Sequence, residues 1–139
     1  MKKIIVFLGL VLMAFSGVVS AQQYDIQLDN KIYADGIASV KLLPGDDQLA
    51  PPVGVLGETM FTISFDDLNV DVRHLKYTFI HCTHDWKPDG MNQIEYLDGF
   101  MEDEITEYSY SFNTLTNYTH YTLDFPNEMM RIQRSGNYI

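Results

Sequence analysis

The sequence predicts an all-β protein, an immunoglobulin-like antiparallel β-sandwich, and three observations carry that prediction. Apolar and polar residues alternate with period two in several short runs, turn residues bound those runs, and no stretch of useful length shows the stripe of an amphipathic helix. Roughly six or seven short strands follow one another, the pattern of a two-layer sandwich. The Cys–Trp–Cys spacing of antibody domains is absent, since the chain holds one Cys and one Trp. That excludes the antibody subclass and leaves the architecture standing.

The first residues stand apart from the fold. Lys2 and Lys3 precede an apolar run from Ile4 to Phe15, Gly17 loosens the chain, and Val19-Ser20-Ala21 offers the modest residues a signal peptidase inspects. Residues 1–21 therefore read as a secretory signal peptide cleaved after Ala21. The run is short for a bilayer span, and no Cys follows it to carry a lipid. Residues 22–36 read as a lead-in and 37–139 as the sandwich domain, one domain's worth of chain.

Within that domain, Ile37 to Leu43 is a strand ended by Pro44-Gly45-Asp46-Asp47, and Ala50-Pro51-Pro52 leads to Val53-Gly54-Val55-Leu56 as a linker or strand edge. Phe61, Ile63 and Phe65 alternate with Thr62 and Ser64 in a half-buried strand stopped by Asp66-Asp67. Leu75 to Cys82 is apolar or aromatic nearly throughout, as in a strand covered on both faces. Asn92 to Phe100 holds at most a turn or two of helix. Ile105 to Phe112 sets Tyr108, Tyr110 and Phe112 on one face, and Thr119 to Phe125 sets Tyr121, Leu123 and Phe125 inward. Met129 to Gln133 begins a further strand or turn. Ser135 to Ile139 enters one more strand, and a sandwich ending there leaves a sheet edge unpaired, so the sequence is expected to be a fragment with its C-terminal strand incomplete.

Charge and chemistry narrow the function. Nine basic residues stand against 19 acidic ones, a net charge of −10, and removal of Lys2 and Lys3 would deepen it. Nucleic acid and anionic lipid heads would repel such a surface. With one Cys no internal disulfide forms, and Cys82 reads as a small buried hydrophobe. His81, Cys82 and His84 are zinc-ligand types, but on a strand His81 and Cys82 point to opposite faces, and no second Cys/His pair completes a site. A set of His81, His84 and Asp85 is geometrically open; a strand end in which His and Asp bond a turn and Trp86 fills the core is the simpler reading. On that reading Trp86→Ala costs about 3–5 kcal/mol of stability. A Cys82–His84 nucleophile pair lacks an oxyanion donor and an orienting acid. The carboxylates at Asp66-Asp67, Glu95, Asp98 and Glu102-Asp103-Glu104 with Glu107 read as solvated faces and turn caps, with a calcium loop at Asp66-Asp67 as the alternative. Asn117-Tyr118-Thr119 fits a glycosylation acceptor and reads as a polar strand start. No catalytic residue, metal ligand or cofactor is assigned.

Taken in order, several segments resemble the N-terminal domain of the plug protein family of the type IX secretion system. They are Ile37 to Leu42, Pro52-Val53, Phe61 to Leu68, Tyr77 to Cys82 with Asp85-Trp86, and Glu95-Tyr96-Leu97-Asp98-Gly99-Phe100. Ser111-Phe112-Asn113-Thr114, Tyr118-Thr119-His120-Tyr121, Phe125-Pro126-Asn127 and Ser135-Gly136-Asn137-Tyr138 complete the series. The resemblance implies that His81, Cys82, Asp85, Trp86, Glu95, Tyr96, Gly99, Ser111, Asn113, Thr114, Tyr118, Tyr121, Gly136 and Asn137 are structural motif residues. It implies a non-enzymatic gating subunit of the periplasm, associated with the outer membrane, that closes the periplasmic opening of a very large translocon β-barrel and uses no cofactor. Members of that family continue well beyond the matched segment. The competing reading is a ligand- or carbohydrate-binding β-sandwich module of a secreted protein, resting on the aromatic and acidic content.

Overall fold

The computed structural model describes residues 31–45, 47–69 and 71–139; the expected signal peptide and most of the expected lead-in lie outside them. The strands in chain order are β1 (Ile37–Pro44), β2 (Phe61–Asp67), β3 (Lys76–Tyr77), β4 (His81–Cys82), β5 (Leu97–Gly99), β6 (Asp103–Glu104), β7 (Glu107–Tyr110), β8 (Thr119–Phe125), β9 (Met130–Ile132) and β10 (Asn137–Tyr138), with a 3-10 turn at Gln93–Glu95 between β4 and β5. The fold is all-β and every ladder is antiparallel, as the period-two runs predict. Among the described residues no helix is long and apolar enough to cross a membrane.

The backbone of the domain is a four-stranded sheet in the order β1-β2-β8-β7. Its centre is the β2–β8 ladder, where Phe61 pairs with Phe125 and Phe65 with Tyr121. Those pairs stack their rings with centroids 5.6 and 5.3 Å apart, the cross-strand aromatic contact that fixes register in a sheet. The polar residues between them, Thr62, Ser64 and Asp66, face the other side. There Thr62 Oγ1 donates to Asp124 at 2.5 Å and His120 Nδ1 sits 2.6 Å from Asp66.

A second layer covers the aromatic face. It is not one sheet but three two-stranded ladders, β3–β6, β5–β9 and β4–β10. Leu75, Tyr77 and Ile105 pack on Phe65 and Tyr121, forming one core cluster. Tyr96, Leu97 and Met130 form a second, against which Tyr77, Phe79 and Tyr138 pack. Tyr77 touches both clusters, and the Phe79 ring lies 5.0 Å from Phe125, so the two layers share one continuous apolar seam. This layering is that of a β-sandwich.

Three sequence expectations change, and the face that carries Tyr108 and Tyr110 is as expected. Asp66 and Asp67 do not stop β2: the strand runs through them because each carboxylate has a side-chain partner, the His120 ring for Asp66 and the Arg73 guanidinium for Asp67. Leu75 to Cys82 is not one doubly covered strand. It changes partner midway, from β6 to β10, and Thr78 between them donates to the Met101 carbonyl at 2.6 Å. Tyr108 and Tyr110 do lie on the aromatic face, yet they remain 46% and 63% exposed, because β7 is the sheet edge and the second layer stops short of it. Trp86 does not fill the core. It is 52% exposed and has φ of 60°, since it closes a turn that carries its ring away from the sheet.

Candidate functional site

The residues singled out by sequence fall into three groups and one isolated position. The largest group surrounds β4. His81 is buried, with Nδ1 2.6 Å from Asp89 Oδ2 and Nε2 facing the Ser135 carbonyl at 3.4 Å. The rings of Tyr138 and Tyr96 flank it at 5.2 and 5.7 Å. A side chain at Gly136 would place its Cβ 2.2 Å from His81 Nε2, so only glycine fits between the ring and the chain. Asn137 pairs with Cys82 and Tyr138 with His81 across β4–β10, and Asn137 Nδ2 donates to the Thr83 carbonyl at 3.1 Å. The ladder continues through reciprocal backbone bonds between Ile80 and Ile139 of 2.9 and 3.0 Å. Two segments far apart in sequence are thereby stapled together.

The turn after β4 is closed by bonds among its own residues, beside the Asn137 bond to Thr83. Thr83 N–H donates to the Lys87 carbonyl at 2.8 Å, Trp86 N–H to the Thr83 carbonyl at 3.0 Å, and Thr83 Oγ1 to the Asp85 carboxylate. Lys87 Nζ is 3.0 Å from Asp85. The Thr83 hydroxyl and Lys87 hold Asp85 below its ordinary range. Asp89 is likewise lowered, first by the Met91 N–H and then by His81. Burial pushes the Cys82 thiol up, and Asp89 adds to that rise. Cys82 is 2% exposed, so its environment opposes the thiolate a nucleophile requires. Tyr138 is pushed up to about 12 by burial and by Tyr96.

The second group is the turn into β5. Asn92 accepts from Ile94 N–H and Glu95 reaches back to Asn92 N–H, a capping box on the 3-10 turn. Tyr96 follows, almost fully buried, with its hydroxyl donating to the Phe79 carbonyl at 3.1 Å. Gly99 has φ of 100°, and a Cβ there would lie 2.2 Å from the Met129 carbonyl oxygen; both facts demand glycine. The third group closes the β7–β8 hairpin. Ser111 N–H donates to the Tyr118 carbonyl and Tyr118 N–H to Ser111 Oγ, each at 2.9 Å. Asn113 takes the left-handed conformation with φ of 56°, and Thr114 Oγ1 bonds the Thr116 carbonyl at 2.9 Å. Tyr121 lies apart from these three groups, fully buried in the core cluster with Phe65 and Ile105.

Two side-chain networks were not foreseen in sequence, although Asp67 and Asn127 were named there as residues at strand ends and turns. Asp67, with no exposed surface, accepts from Asn69 N–H at 3.0 Å, Asn69 Nδ2 at 2.8 Å and Arg73 Nε at 2.5 Å. The Arg73 N–H in turn donates to Tyr121 Oη at 2.8 Å. Asn127 Oδ1 accepts from Met129 and Met130 N–H, while its Nδ2 donates to Tyr77 Oη at 2.9 Å. The Asp-x-Asn and Asn-x-x spacings of side-chain-capped turns were the available signals. Among the described residues, no three of His, Cys, Asp and Glu gather as a metal set. His81, His84 and Asp85 do not converge: His81 turns inward to Asp89 while His84 lies on the exposed turn.

What the fold and these groups define is a β-sandwich module whose motif side chains are bonded to its own loops. The chain belongs to the plug protein family of the type 9 secretion system: the family model of that protein's first domain matches residues 37–139. That family is one of secretion-system plug domains, not of known enzymes. A solved structure of a hypothetical protein from Parabacteroides merdae is similar, with 30% sequence identity and a TM-score of 0.72 over 76% of this chain. The match spans 27% of that protein's chain. A search of curated proteins returned no significant match.

Proposed function

We propose that this domain is part of a non-enzymatic plug that seals the periplasmic side of the outer-membrane translocon barrel of the type 9 secretion system. The observation that carries the reading is the family match across residues 37–139. On this reading residues 1–21 export the protein, cleavage follows Ala21, and the mature protein resides in the periplasm in contact with the outer membrane. Its partner is the translocon β-barrel itself. A body that stops an aqueous pore needs stiffness, and a seam of stacked aromatic pairs joining two layers supplies it. Internally satisfied polar motifs suit a part that occludes without reacting.

The test is affinity purification of the tagged full-length protein from its native envelope in mild detergent, with partners identified by mass spectrometry. Recovery of a very large outer-membrane β-barrel is the expected result. Recovery of the protein alone from an intact extract removes the reading. Exposed aromatic residues, Trp86 at 52% and Tyr110 at 63% among them, favour a carbohydrate- or ligand-binding module instead. Glycan binding lost in Trp86→Ala, with no barrel recovered, would transfer the assignment to that module.

A further inference from the structure

The connection between β1 and β2 is far longer than a hairpin needs. Two residues suffice to reverse such a pair, yet here residues 45–60 form the link, closed at its neck by Gly45 N–H donating to the Met60 carbonyl at 2.9 Å. Loops of this length inside a compact domain are usually functional. Residues 48–57, Gln-Leu-Ala-Pro-Pro-Val-Gly-Val-Leu-Gly, hold no charge, although the protein as a whole carries −10. Its apolar side chains are uncovered, with Leu49 95%, Val53 75% and Val55 60% exposed.

The loop is nevertheless folded on itself. Val55 N–H donates to Thr59 Oγ1 at 2.8 Å, and Glu58 and Thr59 N–H both donate to the Val55 carbonyl at 3.1 and 3.0 Å. Gly54 presses so closely on Thr59 that a Cβ would lie 2.5 Å from it. Pro51 and Pro52 remove further backbone freedom. A preorganised apolar tip loses little entropy when it docks.

We propose that this loop is the element that seats the domain in its partner, and that the occupant is an apolar, uncharged recess in the wall of the translocon barrel. The inference rests on the plug reading above and names the contact within it. Charge selects the partner class. A second copy carries the same −10 and repels the first, and anionic lipid does likewise. The loop also lacks the Lys, Arg, Trp and Tyr that anchor a segment at a lipid interface. A protein pocket without charge meets neither objection.

The test introduces a photo-crosslinking benzoylphenylalanine at Leu49, Val53 or Val55 of the full-length protein in its native envelope, with Leu115 and Trp86, both exposed, as reference positions. Adducts to the barrel from the loop at least about fivefold above those from Leu115 are expected. In parallel, the double variant Leu49→Ser/Val53→Ser should recover about tenfold less barrel with an unchanged melting temperature. Loop adducts to a second copy, to the protein's own chain or to lipid overturn the inference while the unsubstituted protein still brings down the barrel. If the unsubstituted protein brings down no barrel, the plug reading falls and this inference with it.

Discussion

Asp67 shows how one buried charge is made tolerable and what it implies for pH. Burial alone would raise its pKa, but the Asn69 backbone and side-chain donors and the Arg73 guanidinium outweigh burial and hold it below its ordinary value of 3.8. The fold thus favours the ionised form. Its contribution is complete above the unfolded value and is lost as pH falls through the depressed folded one. Asp66, for which the His120, Ser39 and Lys41 contacts outweigh burial, is lowered in the same sense. Asp67→Ala should therefore cost about 2–4 kcal/mol at pH 7, since it strands Arg73 and the Asn69 donors. Urea denaturation from pH 7 to pH 3 should show a shallower acid limb in the variant than in the parent. Equal slopes would remove Asp67 from the acid response. Trp86 gives the opposite case. Half-exposed on a turn at positive φ, it should tolerate Trp86→Ala within about 0.5 kcal/mol, read from the same urea curves. A loss above about 2 kcal/mol would restore the core role that the sequence suggests. That role was misread because an aromatic next to an apolar run looks like core, while the turn that expels it depends on Thr83 bonding both Asp85 and Lys87.

At the scale of elements, the long alternating strands were readable and the two-residue ladders were not. β2 and β8 declare themselves because Phe61, Phe65, Tyr121 and Phe125 recur at period two and pair with one another. β3, β4, β6 and β10 are defined by partners distant in sequence, Tyr77 with Asp103 and Tyr138 with His81, and no local periodicity encodes that. The motif residues of the candidate site were legible as residues through the family resemblance, and several of them, Asp85, Glu95, Ser111 and Asn137, sit where a polar group must be satisfied. Their grouping was not, because His81 finds Gly136 and Asn137 only after the second layer has folded. The β4–β10 ladder is short, so its side-chain staple matters. Gly136→Ala drives a methyl into the His81 ring and should destabilise the domain by about 1–3 kcal/mol. Amide exchange should also quicken at Ile80 and Ile139, whose backbone bonds lie next to the staple. Unchanged exchange at both amides would mean that the ladder holds without His81 packing.

For the whole molecule, charge and exposed apolar surface have to be weighed together. Leu49, Val53, Phe112 and Leu115 are each at least 75% exposed, on the β1–β2 loop and the β7–β8 hairpin. Uncovered apolar groups of this kind promote association. At pH 7 a net charge of −10 opposes it, with a range set by the Debye length of about 8 Å at physiological salt. The balance should invert where the charge vanishes, near the sequence pI of 4.5. Asp66, Asp67, Asp85 and Asp89 are all held below their ordinary range, so they remain ionised there and their contribution to folding persists. Association and unfolding should consequently separate along the pH axis. Light scattering should peak near pH 4.5 while the far-UV circular dichroism keeps its native β-sheet form, and the material should redissolve on return to pH 7. Loss of ellipticity should appear only at lower pH. Scattering that rises only where ellipticity is already lost would show that unfolded chains, not native loops, associate, and would leave the acidic surface without a part in keeping those loops apart.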